Sequence, residues 1–355
     1  MSATIDRRLD ELVDDVLFPA AAATDQADHL PASHFAALAE LGLFGMVVGA
    51  ADGGLGLRPA EVRRVLRRIG SGCGATAFAF AQHHGTVGAV AASANGSLRE
   101  RWLPALSSDA LAGIAYAHVR RPGPPVLRAT PANDGGAAWV LDGEAPWVTS
   151  WGLAEVLGVA ALTDDGRLVW VLVPASESAG MSMVKRFELS VFTATATVAI
   201  AFDRYRVEPE SVISVVDVGP WSVGDRLRAA RPNPLCLGIG DRALALVAAA
   251  EPDRGAELAP VWAETVARAD EQATAVDDGV ADLDTVAAAR AETVLATQRL
   301  TAALLATVGG RAMERSHPAQ RLHREAGFFV VQAQNDAGRR ALLGAVARPE
   351  RQRSP

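Results

Sequence analysis

Apolar positions recur at helical spacing through the first third of the chain. After Pro59 they return every three or four residues, which places them on one face of a helix that starts at this proline. These positions are Val62, Val65, Leu66 and Ile69. Similar patterns predict helices over residues 31–41, where Gly42 ends the pattern, and over 97–106. We therefore predict an N-terminal helical domain over residues 1–111.

The pattern changes near residue 112, where short apolar runs replace the helical spacing. Asp-Gly pairs at 142–143 and 165–166 predict hairpin turns between such runs. No segment of helical length separates the runs, so the strands are expected to pair in an antiparallel barrel or sandwich. We predict a middle antiparallel β-barrel domain over residues 112–215. The predicted strands cover residues 139–141, 156–162, 168–173 and 195–202.

Helical patterns return near Pro220 and continue almost to the end of the chain. The predicted helices cover residues 234–250, 284–308 and 318–346, the last as a pair or as one bent helix. Gly309 ends the longest of them. We predict a C-terminal helical domain over residues 216–347 and a disordered, arginine-rich tail over 348–355. The fold class is α+β and mainly helical, with a helical domain, a β domain and a helical bundle in that order.

Charge and cysteine content narrow the class of protein. The formal net charge of −7 argues against nucleic acid as a partner, because binding to phosphates needs an excess of lysine and arginine. The arginines within residues 63–68 fit the solvated face of one helix. Cys73 and Cys236 are the only cysteines and lie far apart in sequence. This usage indicates a reduced, cytoplasmic protein rather than a disulfide scaffold.

The longest apolar run, residues 75–92, has polar residues at its centre. Gln82, His83 and His84 make it too polar to cross a bilayer, so we predict a buried helix and no contact with a membrane. The start of the chain is polar and acidic and lacks the apolar core of a signal peptide. The seven histidines show no spacing typical of metal ligands, and we predict no metal site.

Candidate chemistry is concentrated at the end of one predicted strand, at residues 146–150. Trp147 precedes Thr149 by two residues, and alternation along a strand would place both side chains on the same side. An indole beside a hydroxyl can shield a planar ring system and form a hydrogen bond to its edge. The pair therefore predicts a binding site for a flat cofactor.

Five sequence patterns, one of which contains this strand end, follow one another along the chain. They occupy residues 41–45 with 53–56, 101–106, 143–150, 203–209 and 321–325. Their sequences and order resemble those of the acyl-CoA dehydrogenase flavoproteins over most of the chain. In that family they form an N-terminal turn, the helix before the β domain, the flavin-binding strand, the strand that leaves the β domain and a C-terminal arginine-rich turn.

The resemblance implies that the cofactor is FAD, held between the β domain and the C-terminal helices. It places Trp147 beside the isoalloxazine ring and the Thr149 hydroxyl at the N5 edge. A second stretch, residues 115–118, is similar to the loop that contacts the pyrimidine side of the ring, although the family usually has a threonine near His118. The implied cofactor-binding residues are Tyr116, Ala117, His118, Trp147, Thr149 and Ser150.

The carboxylate that the family uses as its catalytic base has no counterpart at the expected positions. The usual position falls at Ala333, beside Gln334, and the alternative one falls at Ala230. Glu325 and Asp336 lie nearby in sequence and are interpreted as surface charges, so no catalytic residue is assigned. The family pattern is also absent at residues 251–255, where a turn and a shortened helix are predicted, and at Ala306, so binding of the adenine half of FAD is left without its usual residues.

Three functions therefore remain open. The first is an FAD-dependent acyl-CoA dehydrogenase-like oxidoreductase of lipid metabolism that acts on the CH–CH group of an acyl thioester, carried by coenzyme A or by an acyl carrier protein. Its base would be relocated or supplied by a partner subunit. The second is a flavin-dependent monooxygenase of the same fold. The third is a non-catalytic or FAD-binding subunit of a mixed complex. In each case we predict a dimer or tetramer, homomeric or mixed.

Overall fold

The computed structural model describes residues 2–132 and 136–347. Contacts divide these residues into two compact units. Unit 1 contains the described residues up to Val65 and Cys73–Ser222, and unit 2 contains Leu66–Gly72 and the described residues from Val223 onward. The sequence boundaries near residues 111 and 215 stay predictions, and the predicted tail at 348–355 lies outside the described residues.

Six α-helices precede the sheet in the described residues, and four of them, α3 to α6, correspond to helices that the sequence predicts. They are α1 (Ala3–Glu11), α2 (Phe18–Gln26), α3 (Ala32–Glu40), α4 (Pro59–Gly72), α5 (Gly74–Ala91) and α6 (Gly96–Ser108), and a π-helical turn, Leu12–Leu17, joins the first two. Helix α4 starts at Pro59, because proline fits the first turn, where its missing N–H costs no hydrogen bond. Helix α6 starts after Asn95, whose side chain accepts a hydrogen bond from the Leu98 N–H.

The arginine cluster of α4 does not form the single solvated face that we predicted. Arg63 is buried, and Arg67 forms an ion pair with Asp241 at 2.6 Å. Arg64 is half exposed and pairs with Asp6. Residues four apart share a helix face, so Arg63 and Arg67 lie on the packed side and Arg64 lies on the next.

Eight strands form the sheet of unit 1. They are β1 (Ala112–Ala115), β2 (Leu127–Pro131), β3 (Trp139–Val148), β4 (Val156–Leu162), β5 (Arg167–Pro174), β6 (Met181–Arg186), β7 (Val198–Val207) and β8 (Val212–Asp217). Their order is β6-β7-β3-β2-β4-β5-β8, with β1 paired to β4. The pairings are antiparallel except where β1 and β2 meet β4 in parallel.

Of the two predicted Asp-Gly turns, one is present in the structure and the other is not. Gly166 has φ +84° and forms the predicted turn between β4 and β5. The predicted hairpin at 142–143 is wrong, because both residues lie inside β3 at a shift of register. Gly143 has φ +121° and lies at the irregularity between β3 and β7. A Cβ there would lie 2.1 Å from the Val126 carbonyl oxygen, so the position requires glycine.

Helix α5 is the buried helix that the apolar run predicted. The Thr86 hydroxyl donates a hydrogen bond of 2.8 Å to the Gly113 carbonyl, and the His83 Nδ1 accepts one of 3.1 Å from the Ala112 N–H. Two successive residues of β1 are therefore tied to α5. No helix in the described part of the chain is long and apolar enough to cross a membrane.

The remaining helices follow the sheet. They are α7 (Val218–Ala230), α8 (Pro234–Ala250), α9 (Pro252–Asp277), α10 (Leu283–Val308), α11 (Pro318–Phe328) and α12 (Asp336–Ala347). Helix α8 has the predicted bounds, and Gly309, with φ +71°, ends α10 as predicted. The turn and shortened helix expected at 251–255 are wrong. Glu251 alone separates α8 from α9, because Pro252 starts a helix of 26 residues.

Candidate functional site

Strand β3 ends in a backbone irregularity at Trp147. This residue has φ +64°, in the left-handed region that non-glycine residues rarely occupy, and it lies at a shift of register between β3 and β7. Its side chain is 51% exposed and stacks on Phe187, with ring centroids 4.2 Å apart. The irregularity therefore presents a flat aromatic surface to the solvent, at a cost in backbone strain typical of functional sites.

Thr149 lies two residues further on and is buried, with 3% of its surface exposed. Strand alternation therefore does not place it on one side with Trp147, because the left-handed residue interrupts the alternation. The Thr149 hydroxyl donates a hydrogen bond to the carboxamide oxygen of Gln82 in α5. A Cβ on Gly113 would lie 3.0 Å from the Thr149 carbonyl oxygen, so β1 packs closely against this residue.

Gln82 is a candidate site residue that we did not predict. Its only signal in the sequence is that it opens a polar triplet in an otherwise apolar helix. That signal served to exclude a membrane span and gave no indication of a partner 67 residues later.

Ser150 contributes a buried hydroxyl. It also has φ +64°, and its backbone N–H donates a hydrogen bond of 2.7 Å to the Thr195 carbonyl. Its Oγ is buried and has no hydrogen-bond partner among the described residues. Buried hydroxyls are normally hydrogen-bonded, so this atom is available to a polar group of a ligand.

The stretch after β1 is engaged with the sheet. The Arg120 guanidinium lies over the Tyr116 ring and donates a hydrogen bond of 2.9 Å to its hydroxyl, and this ring also contacts Trp170. The His118 Nε2 donates a hydrogen bond of 2.8 Å to the Ala160 carbonyl, and burial lowers the pKa of His118 to about 4. Ala117 is exposed between them.

The side chains of Tyr116 and His118, which were predicted to bind the cofactor, thus contact other groups of the protein. Ala117, which is exposed, is the residue of this stretch that remains open to a ligand. Gly113, in the strand β1 that precedes this stretch, packs closely against Thr149.

In unit 2, Arg290 joins the two segments where a base was expected. Its Nη1 donates a hydrogen bond of 3.0 Å to the Arg231 carbonyl, and its Nη2 donates one of 2.5 Å to the Gln332 carbonyl. These carbonyls belong to residues next to Ala230 and Ala333. Ala333 has φ +50° and lies in the turn between α11 and α12. Neither alanine can accept a proton.

The nearby titratable residues have structural partners or are exposed. Glu325 is 2% exposed and forms an ion pair of 2.8 Å with Arg321, so its interpretation as a surface charge is wrong. The two residues are four apart on α11, which lets them pair inside the unit. Asp336 is exposed in the first turn of α12, and His317 caps α11. Among the described residues no group of three or more His, Cys, Asp or Glu could hold a metal ion.

Sequence comparison places the chain among known proteins. Residues 3–110 match the model of the acyl-CoA dehydrogenase N-terminal domain. Benzylmalonyl-CoA dehydrogenase of Aromatoleum aromaticum is 28% identical over 193 residues, which cover 54% of this chain and 51% of that protein. The chain therefore spans about half the length of the curated relatives it matches.

Structural comparison extends the similarity to nearly the whole chain. A glutaryl-CoA dehydrogenase from Mycobacterium smegmatis, solved in complex with FADH2, has a TM-score of 0.82 and 17% identity, covering 97% of this chain and 94% of that one. A dibenzothiophene monooxygenase from Paenibacillus sp. A11-2 has a TM-score of 0.78 and 19% identity, covering 98% and 97%. At these identities the similarity concerns the fold, which is that of helical, β and helical segments in the predicted order.

Proposed function

We propose, from the premise that this chain belongs to the acyl-CoA dehydrogenase family, that it is an FAD-dependent oxidoreductase of the CH–CH group of an acyl thioester. The observation that carries the proposal is the end of β3. There a strained, half-exposed indole at Trp147 adjoins the buried hydroxyls of Thr149 and Ser150. A core tryptophan would need neither the exposure nor the left-handed backbone.

The residues of this site fit the isoalloxazine of FAD. The indole offers a flat apolar surface, and the Ser150 Oγ is a buried polar atom without a hydrogen-bond partner in the part of the chain that the structure describes. The Thr149 hydroxyl can donate one hydrogen bond and accept two, so it can serve a ring edge in addition to Gln82. When bound, the flavin supplies the hydride acceptor of the oxidation.

The protein's own groups bind and orient the ring in this proposal. Trp147 excludes water from one part of the ring, and Thr149 forms a hydrogen bond to the N5 edge. The Ala117 backbone contacts the pyrimidine side in place of the family's threonine. The side chains of Tyr116 and His118 support that backbone through Arg120 and the sheet rather than through contact with the ring.

Removal of the substrate's α-proton requires a base, and Ala230 and Ala333 provide none. We assign this step to a carboxylate of a partner subunit or to a relocated one in this chain. Asp336 is the described carboxylate closest in sequence to Ala333, and it is exposed, whereas Glu325 is held in a buried ion pair with Arg321. The proposal therefore includes an oligomer, homomeric or mixed, that takes an acyl-CoA or acyl-carrier thioester in the cytoplasm.

The experiment is to purify the protein alone and with neighbouring acyl-CoA dehydrogenase-like chains. We expect a yellow preparation with one FAD per site, bleached by an acyl thioester in the absence of oxygen. Trp147→Ala should weaken FAD binding, whereas Trp221→Ala, the same change in α7, should not. A colourless protein that takes up no added FAD, alone or in an assembly, would overturn the proposal.

Reduced-flavin oxygen chemistry is the second candidate. It needs no base for an α-proton, which suits the alanines at 230 and 333, and the fold is shared with the dibenzothiophene monooxygenase. Substrate hydroxylation that depends on NADH, a flavin reductase and oxygen, without bleaching by acyl thioesters, would select this function. A colourless chain that stabilises a yellow partner would select the third, a non-catalytic subunit.

A further inference from the structure

We infer that Gln82 is a positioning residue that sets the direction of the hydrogen bond made by the Thr149 hydroxyl. The inference rests on the proposed function, because Thr149 is the residue assigned to the edge of the flavin. The two side chains are in contact, Gln82 lying in the middle of α5 and Thr149 at the end of β3.

Gln82 is held firmly in place. His83, the next residue, accepts a hydrogen bond of 3.1 Å from the Ala112 N–H, and Thr86, one helical turn later, donates one of 2.8 Å to the Gly113 carbonyl. Gly113 in turn packs against the Thr149 carbonyl, where a Cβ would come within 3.0 Å. The helix that carries Gln82 and the strand end that carries Thr149 therefore both contact Gly113 of β1.

The Thr149 hydroxyl is buried and has a single proton, so its partner determines what remains for a ligand. In the observed arrangement the proton goes to the Gln82 oxygen, and the hydroxyl oxygen can accept a hydrogen bond from a ligand N–H. A half-turn of the carboxamide presents its NH2 group instead. The hydroxyl then accepts from Gln82 and can donate its proton to a ligand acceptor.

A carboxamide is suited to the edge of a flavin for this reason. The N5 atom accepts a hydrogen bond in the oxidised ring and donates one in the reduced ring. Glutamine can support both arrangements of Thr149. A carboxylate at the same position could only accept, and an apolar side chain of the same length could do neither.

The test measures FAD affinity and the visible spectrum of bound FAD in a double-mutant cycle. Gln82→Met removes the carboxamide at nearly constant size, and Thr149→Val removes the hydroxyl. We expect Gln82→Met to weaken FAD binding about five-fold, the value of one hydrogen bond, and to shift the visible absorption band. In the Thr149→Val background the same change should weaken binding less than about two-fold.

Two further variants serve as controls. Gln26→Met is the matched control, because Gln26 is exposed on α2 and its amide donates a hydrogen bond to the Ala22 carbonyl of its own helix. Gln82→Glu is the second test variant. It keeps the bond from Thr149, so it guards against a folding defect, yet it cannot release the Thr149 proton. It should weaken binding of oxidised FAD about five-fold.

The outcomes separate the two proposals. If the wild-type protein and its assemblies bind no FAD, the proposed function and this inference both fail. If the wild type is yellow and Gln82→Met keeps the same affinity and spectrum, only the inference fails. It fails equally if Gln82→Met weakens binding by the same factor with and without the Thr149 hydroxyl, because Gln82 then acts through another group.

Discussion

Arg67 donates two parallel hydrogen bonds of 2.6 Å to the two carboxylate oxygens of Asp241, 174 residues later. Asp241 also accepts a hydrogen bond of 2.8 Å from the indole Nε1 of Trp262. The last turns of α4 are thereby joined to α8 and α9 within unit 2. A bidentate ion pair with a third, neutral donor is among the stronger polar arrangements in proteins.

The first prediction concerns this carboxylate. Asp241→Leu should lower the free energy of unfolding by about 2 kcal/mol, because it leaves the Arg67 guanidinium and the Trp262 N–H without their acceptor. We expect a smaller loss than for a fully buried ion pair, because the side chains of Arg67 and Asp241 are 25% and 32% exposed.

Urea denaturation measures the change. The control is Glu292→Leu, which breaks the exposed pair of Glu292 with Arg268 and should cost less than about 0.5 kcal/mol. Equal effects of the two variants would show that Asp241 contributes no more than a surface charge.

The second prediction concerns Gly238, one turn before Asp241 in α8. A Cβ at this position would lie 2.1 Å from the Arg67 carbonyl oxygen and 2.8 Å from the Ser71 nitrogen, both in the backbone of α4. Gly238→Ala should therefore destabilise the protein by about 1–3 kcal/mol or more, through forced separation of the two helices.

Gly344 provides the opposite case. It lies in α12 with open space around its Cα, so Gly344→Ala should stabilise the protein by about 0.5–1 kcal/mol through helix propensity alone. Thermal unfolding of both variants checks the pair, and a stabilised Gly238→Ala protein would refute the close packing.

Several elements could be predicted because local residues determine them. Helix α8 begins at a proline that follows a capping asparagine, and β4 is a continuous apolar run that ends before the Asp165–Gly166 turn. In such cases the boundary depends on residues within a few positions, and sequence patterns contain that information.

The errors arise where a distant contact decides the outcome. A glycine with positive φ can serve a turn or an irregular strand pairing, and at Gly143 the distant pairing of β3 with β7 decides for the second. Glu325 has the pattern of a surface charge, yet Arg321 allows it to be buried. Gln82 is linked to Thr149 across 67 residues, and no periodicity reports such a contact.

The third prediction concerns stability in mild acid. His83 accepts the Ala112 N–H at Nδ1, so a proton there would break the bond, and burial lowers its pKa from 6.5 to about 4. His118 has a pKa of about 4 for the same main reason, with a smaller effect of Arg121. His84, buried beside His83, is shifted in the same direction.

Because these pKa values are lower in the folded protein, unfolding takes up protons below about pH 6.5. The contribution of these histidines to the free energy of unfolding is therefore fully present above that pH. It should fall by about 3 kcal/mol for each of His83 and His118 as the pH drops toward 4. Urea denaturation between pH 7.5 and 4.5 measures this slope. His118→Leu should reduce it, and an unchanged slope would show that His118 titrates normally in the folded state.

The last prediction returns to the turn that carries Ala333. Ala333→Glu should increase the rate at which an acyl thioester bleaches bound FAD by at least about ten-fold, because the resemblance to the family implies that the base belongs at this position. The backbone already tolerates a side chain at φ +50°, and the Arg290 guanidinium on the neighbouring Gln332 carbonyl favours the ionised acid. Gln334→Glu adds the same charge one residue later and should leave the rate unchanged. Anaerobic stopped-flow absorbance distinguishes the two variants. If FAD is bound and neither variant accelerates bleaching, this turn is not the place of the base, and the carboxylate must come from another part of this chain or from a partner subunit.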